Sequence, residues 1–320
     1  MAAKRWRRVG GAFAAILVVL SLAGYWLLDH YKTELYEFSM RLGAREAGLS
    51  AHQIQIGEHR LHYLDNPDAA DKPVILLVHG FGAFKENWIP LAMELAPGFR
   101  MVSVDLPGHG QSTYLPDHDY DIDQQVEALH GFAEKVIGKP FYMVGNSMGG
   151  AITAMYAGTY PDDILGAILL DPGHIYDFKS ELYEYLKKGV HPLITRTEEE
   201  FDFLVDFTME QPPFIPWPFS AVSAKKMADR YHKNQKIWQD ITSDHDYEFK
   251  EIVRRIQAPT LIVWGRQDRV IDYRNGAVYQ QLIGNAELKV LDNVGHAPMI
   301  EVPGRTASLI TDFVSRTGDN

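Results

Sequence analysis

The chain has 320 residues, 46% of them hydrophobic, enough to bury a full core in one large domain with room for an inserted module. Charged residues make up 23% and the formal net charge is -11, so the surface repels nucleic-acid phosphates and nucleic acid is set aside as a partner. The absence of cysteine removes a disulfide framework, a thiolate nucleophile and a cysteine-based metal site, and no repeat or low-complexity tract suggests a solenoid.

The first element is expected to be a membrane device. Lys4, Arg5, Arg7 and Arg8 precede an uncharged stretch over residues 9–28. At helical rise such a stretch is about 30 Å long, the thickness of a hydrocarbon core. The far flank, Asp29 to Lys32, has no comparable basic excess, which puts the N-terminus in the cytoplasm and everything after Leu28 outside. In a bacterium this means a single pass through the inner membrane with a periplasmic catalytic domain, and Tyr25, Trp26 and Tyr31 as interfacial aromatics. The rival is a cleaved signal peptide cut near Gly24, for which Ser21 and Ala23 supply small residues. Against it, the apolar run continues to Leu28, longer than the roughly 7 to 15 residues of a signal core. Residues 29–50 then form a juxtamembrane segment. Leu35, Phe38, Met40, Leu42 and Ala47 alternate there with Glu34, Glu37, Arg41, Arg45 and Glu46, the pattern of an amphipathic helix. Such a helix serves either as a linker or as an interfacial, self-associating continuation of the anchor.

Beyond it the chain alternates between strand and helix patterns. Runs at 52–56 and 61–64 form an opening hairpin, and strands follow at 74–78, 101–104, 141–144, 167–170, 260–264 and 286–290. Helical patterns cover 122–136, 147–158, 273–283 and 305–314. The near-continuous apolar run Val74-Ile75-Leu76-Leu77-Val78 is what a parallel sheet covered on both faces requires. The fold class is therefore α/β, with a mostly parallel sheet built from residues 51–171 and 260–320. Between them, residues 172–259 are too long for a simple crossover and are expected to be a helical cap. Its Pro212 to Phe219 run, rich in proline and aromatics, either covers the sheet edge or builds an apolar acyl pocket; in the second case Trp217 and Phe219 set chain-length preference.

Four strand ends carry chemistry. Gly145-Asn146-Ser147-Met148-Gly149-Gly150 follows the 141–144 strand and opens a helix, the context of a nucleophile elbow, where flanking glycines let the backbone turn sharply and expose the serine hydroxyl. A serine needs an imidazole to take its proton, and the imidazole needs a carboxylate to fix its tautomer. Asp268 follows the strand at 260–264 and His296 the strand at 286–290, so the order is Ser, Asp, His. Asp171 and Asp292 compete for the acid role; Asp268 is preferred because it follows a strand with Gly265 before it and leaves a full helix before His296. His79 and His109 lie in glycine-flanked turns and are read as shaping loops. In His79-Gly80-Phe81-Gly82, directly after a strand, the amide of Phe81 is expected to join that of Met148 as an oxyanion hole. No metal and no cofactor is expected, because no H-E-x-x-H, Walker loop or dinucleotide fingerprint is present.

Those motifs, with Asp105-Leu106-Pro107-Gly108-His109-Gly110, make the chain from about His52 onward resemble the α/β-hydrolase superfamily. Within it the chain is similar to membrane-anchored monoacylglycerol lipases and to bacterial phospholipases A of the PlaF type. The resemblance implies a carboxylic-ester hydrolase acting on lysophospholipids, phospholipids or monoacylglycerols with a Ser147, Asp268, His296 triad, a membrane partner, and homodimerisation through the anchor region. The elbow equally resembles carbon-carbon bond hydrolases of aromatic ring-cleavage products, which are soluble; a generic short-chain esterase is a further alternative.

Overall fold

The structure is a computed structural model that describes residues 21, 23–242 and 246–318. The basic N-terminus and most of the apolar 9–28 stretch, on which the expected transmembrane helix falls, lie outside the described residues. Among those described, no helix is long and apolar enough to cross a membrane.

Eight strands form one sheet: β1 (Ser50–Ile56), β2 (His59–Asp65), β3 (Val74–Val78), β4 (Arg100–Val104), β5 (Phe141–Asn146), β6 (Ile164–Leu170), β7 (Thr260–Gly265) and β8 (Ala286–Leu291). Their order across the sheet is β1-β2-β4-β3-β5-β6-β7-β8. β2 runs antiparallel to both β1 and β4, and every other neighbouring pair is parallel. Every residue of β3, β5 and β7 is buried, because helices cover both faces of the sheet there.

The helices are α1 (Lys32–Glu46), α2 (Ile89–Leu95), α3 (Ile122–Val136), α4 (Met148–Thr159), α5 (Glu181–Lys187), α6 (Glu198–Thr208), α7 (Phe219–Asp229), α8 (Tyr231–Ile241), α9 (Asp246–Val253), α10 (Asn275–Leu282), α11 (Pro298–Glu301) and α12 (Pro303–Thr317). Alternate residues along each strand point to opposite faces, so Leu76 and Val78 join Leu129 and Phe132 of α3 and Ile152 of α4. Ile75 and Leu77 pack on the other side with Leu91 of α2 and Ile310 and Phe313 of α12. Each large apolar side chain buried in this way contributes on the order of 1.5–3 kcal/mol. Helix starts follow local chemistry: Asp121 before α3 accepts a hydrogen bond from the Gln124 amide at 2.8 Å, satisfying one of the donors a first turn leaves free.

The β6-to-β7 connection holds α5 to α9, five helices where an ordinary crossover has one. Residues 23–30 are also helical and lead into α1, which buries Tyr36 and Ala44 and exposes Phe38 and Leu42. α1 packs against α7. The aromatic run after α6 faces this N-terminal helix. Trp217 stacks on Tyr25 with ring centroids 4.7 Å apart, and Phe219 lies 6.4 Å from Tyr36.

Candidate active site

Loops leaving β3, β5, β6, β7 and β8 assemble the site. Ser147 stands between β5 and α4 with φ 57° and ψ -118°, a conformation that a residue with a side chain adopts at a cost of about 1–3 kcal/mol. Its backbone is held from several directions: Ser147 N–H donates to Leu170 O at 3.0 Å, and Ser147 O accepts from Gly173 N at 2.9 Å. The glycines are obligatory for steric reasons. A Cβ at Gly145 would lie 2.0 Å from Gly149 O, and one at Gly149 would lie 2.1 Å from Val78 O. Gly80 of the loop after β3 is close but less tight, since a Cβ there would sit 3.1 Å from the Ser147 Cβ. The β3 loop therefore passes directly beside the serine.

Phe81 and Met148 both adjoin that contact. Among the described residues neither amide N–H donates to a protein acceptor. Two free backbone donors near a strained serine are what the carbonyl oxygen of an ester attacked by that hydroxyl requires as it takes up negative charge.

His296 and Asp268 are brought together. His296 Nδ1 donates to Asp268 Oδ2 at 2.8 Å, because an ionised carboxylate can only accept; this leaves Nε2 as the basic nitrogen. Both residues are buried. Asp268 Oδ1 accepts from the amides of Val270 (2.8 Å) and Ile271 (3.0 Å), and Oδ2 also accepts from Trp264 Nε1 at 3.1 Å. The histidine loop is joined to the serine turn through Asn146, whose Nδ2 donates to His296 O at 3.0 Å and to Leu170 O at 3.2 Å.

The two competing carboxyls fall in different places. Asp292 is exposed and paired with Arg266, away from the imidazole. Asp171 is fully buried at the end of β6; its Oδ1 accepts from Gly265 N at 2.8 Å and its Oδ2 has no partner. Burial first, and then the neighbouring Asp268 charge, push its carboxyl well above the usual range. Asp171, Asp268 and His296 offer atoms within 4.8 Å of one another, a spacing a cation could use. The donor set opposes that use, since four N–H groups already occupy the Asp268 oxygens.

His79 and His109 shape loops. His79 Nδ1 donates to Gly80 O at 2.8 Å and its Nε2 accepts from Leu106 N at 3.1 Å, which ties the loop after β3 to the loop after β4. Burial lowers His79 to about 4, so the neutral ring these bonds need persists at pH 7. His109, 5.1 Å from it ring to ring, is lowered by the same cause. Lys85 and Asp105 add a buried pair at 2.9 Å between the same two loops.

Glu301 is a residue that sequence reasoning missed. Its carboxylate accepts from Gly295 N at 3.0 Å and Ala297 N at 3.3 Å, on either side of His296, and from Glu210 N at 2.8 Å and Gln211 N at 2.9 Å after α6. His296 N–H itself donates to Thr208 O at 2.7 Å, so the insertion grips the histidine loop twice. The insertion also reaches the oxyanion side. Trp238 of α8 packs edge-to-face on Phe81 at 5.3 Å, and it lines a cavity of about 490 Å³ with His191, Ile194, Phe203 and Tyr231.

A mostly parallel sheet of this order, with a serine on a strand-to-helix elbow and an aspartate–histidine pair on later strand ends, defines the α/β-hydrolase class. The chain belongs to the alpha/beta hydrolase family, which it matches over residues 75–309. It is 29% identical over 318 residues to monoacylglycerol lipase ABHD6 of Homo sapiens, covering 96% of this chain and 94% of that one. Lipase 1 of Psychrobacter immobilis is 32% identical over 258 residues, 80% of this chain and 81% of its own. Among solved structures, a membrane phospholipase A described as a novel bacterial virulence factor superposes with a TM-score of 0.86 at 32% identity, covering 95% of this chain and 98% of its own.

Proposed function

We propose that the protein is a serine carboxylic-ester hydrolase that releases fatty acids from membrane glycerolipids. The observation that carries this reading is the hydrogen-bonded Asp268–His296 pair, whose histidine loop is tied through Asn146 to the turn that holds a strained Ser147. The relatives named as lipases and as a membrane phospholipase A support a lipid ester as the substrate.

The chemistry follows from the groups present. His296 Nε2 takes the Ser147 proton as the hydroxyl attacks the ester carbonyl, and Asp268 stabilises the imidazolium that results. The amides of Phe81 and Met148 hold the oxyanion. His296 then protonates the leaving alcohol, and water, activated by the same imidazole, releases the fatty acid from Ser147. Residues 172–259 serve as a cap in this reading, which Trp238 brings against Phe81 of the loop after β3. Trp217 and Phe219 are not assigned to an acyl pocket, because they pack on Tyr25 and Tyr36.

The basic cluster before residues 9–28 supports an N-terminus in the cytoplasm and a hydrolase in the periplasm, and the length of the apolar run supports an uncleaved anchor. Residues 29–50 continue it as the juxtamembrane helix, whose exposed Phe38 and Leu42 suit pairing with a second copy.

Fatty-acid release by detergent-solubilised full-length protein, measured on lysophospholipid, diacyl phospholipid, monoacylglycerol and p-nitrophenyl butyrate with Ser147→Ala as control, tests this reading. Lipid turnover that vanishes in the variant is expected. Turnover of the short ester alone would reduce the function to a generic esterase, and silence on all four would turn attention to carbon-carbon bond hydrolysis.

A further inference from the structure

Phe214 is the most exposed large apolar side chain among the described residues, at 89%. It sits in Pro212-Pro213-Phe214-Ile215-Pro216-Trp217-Pro218, a stretch with no charge in which four of seven residues are proline. Proline has no N–H, so this loop presents few backbone donors that would go unsatisfied in an apolar layer. In water the same side chain gains nothing from its position and leaves apolar surface exposed.

The place of the loop is fixed by aromatic contacts. Trp217 lies flat on Tyr25, 4.7 Å between centroids at 6°. Further along the same connection Phe219 approaches Tyr36, and Lys226 Nζ lies 4.6 Å over the Tyr36 ring. Tyr25 belongs to the helical residues 23–30, where the apolar 9–28 run ends, and Trp26, Leu27 and Leu28 beside it are all exposed. The exposed face of that helix and the Phe214 loop thus form neighbouring apolar surfaces on one side of the molecule.

We propose that residues 212–218 are a second membrane contact, with Phe214 and Ile215 entering the boundary between head groups and acyl chains beside the anchor. The contact holds the cap against the bilayer from which the substrate is drawn. This inference rests on the anchored-hydrolase reading. A bilayer fits the loop better than a protein partner does, because the loop is tethered to the end of the apolar run and carries neither charge nor a full set of backbone donors.

The chain has no cysteine, so Phe214→Cys in the full-length protein gives a single site for an environment-sensitive fluorophore. Asp162→Cys, on the exposed turn between α4 and β6, is the control. Both are reconstituted in phosphatidylcholine and phosphatidylglycerol vesicles, with and without brominated acyl chains, and vesicle flotation is measured in parallel. The expected result is a blue shift and bromine quenching at position 214 and neither at position 162. Protein that floats while the 214 label stays water-like would overturn the loop contact and leave the anchor standing. A shift without quenching would mean that a second copy covers the loop, and would overturn the proposal too. Protein that fails to float would remove the anchor and this inference together. In addition, Phe214→Asp should lower the rate on vesicle lipid about tenfold while p-nitrophenyl butyrate hydrolysis is unchanged; equal rates on vesicle lipid would again overturn it.

Discussion

At the histidine, two carboxyls compete for one imidazole, and their surroundings separate them. Asp268 accepts four N–H donors, an arrangement suited to a charged carboxylate, whereas Asp171 has a single amide donor and a bare oxygen in a fully buried position. A buried carboxyl beside a negative charge retains its proton. Asp268→Asn is therefore expected to lower kcat by about 10³- to 10⁴-fold with a smaller change in KM, since it removes stabilisation of the imidazolium. It also removes the smaller of the two causes that keep Asp171 neutral, while burial, the larger one, remains. Asp171→Asn added to Asp268→Asn should then change the residual rate little, measured as steady-state hydrolysis of p-nitrophenyl butyrate. An unchanged kcat in the single variant would transfer the acid role to Asp171.

At the level of elements, the loop carrying His296 is positioned by α11, whose Glu301 accepts amides from both that loop and the segment after α6. Glu301→Gln keeps the shape and loses the charge, and hydrogen bonds to a charged group are worth about 1.5–3 kcal/mol. The variant should lose about that much stability in urea titration, and kcat should fall while KM for a soluble ester changes little. The same glutamate marks where sequence reading stops. The eight strands were legible because short β-rich runs, some continuously apolar such as Val74 to Val78, are bounded by turn residues. Ser147, Asp268 and His296 were legible as candidates because each follows a strand with glycine close by. Glu301 carries no such signal: its partners are backbone amides six and 91 residues away, and a carboxylate can accept an amide from any residue type. Trp217 and Phe219 illustrate the complementary limit. Their composition suggested an acyl pocket, but a large aromatic fits any apolar wall, and the wall they found is the N-terminal helix.

For the molecule as a whole, folding must keep His79 neutral inside the packed loops. Its ring titrates at about 4 when folded against an ordinary 6.5. The unfolded chain therefore takes up the proton first as pH falls. The contribution is fully present above about pH 6.5 and is lost progressively toward pH 4, on the order of 3 kcal/mol in all. Tm measured across this range should fall on acidification, and His79→Gln should lower Tm at pH 8 yet flatten the slope. A slope identical to that of the parent would refute the assignment.

The stack of Tyr25 on Trp217 bears on how this protein can be handled. The N-terminal helix forms part of the wall behind the insertion, so a chain shortened past residue 31 to obtain soluble material loses one partner of that stack, and one shortened past residue 46 also uncovers Phe219 and Lys226. Specificity profiles and inhibitor screens run on trimmed protein would then describe an enzyme whose insertion between β6 and β7 has lost its backing, and the full-length chain is the proper reference for both.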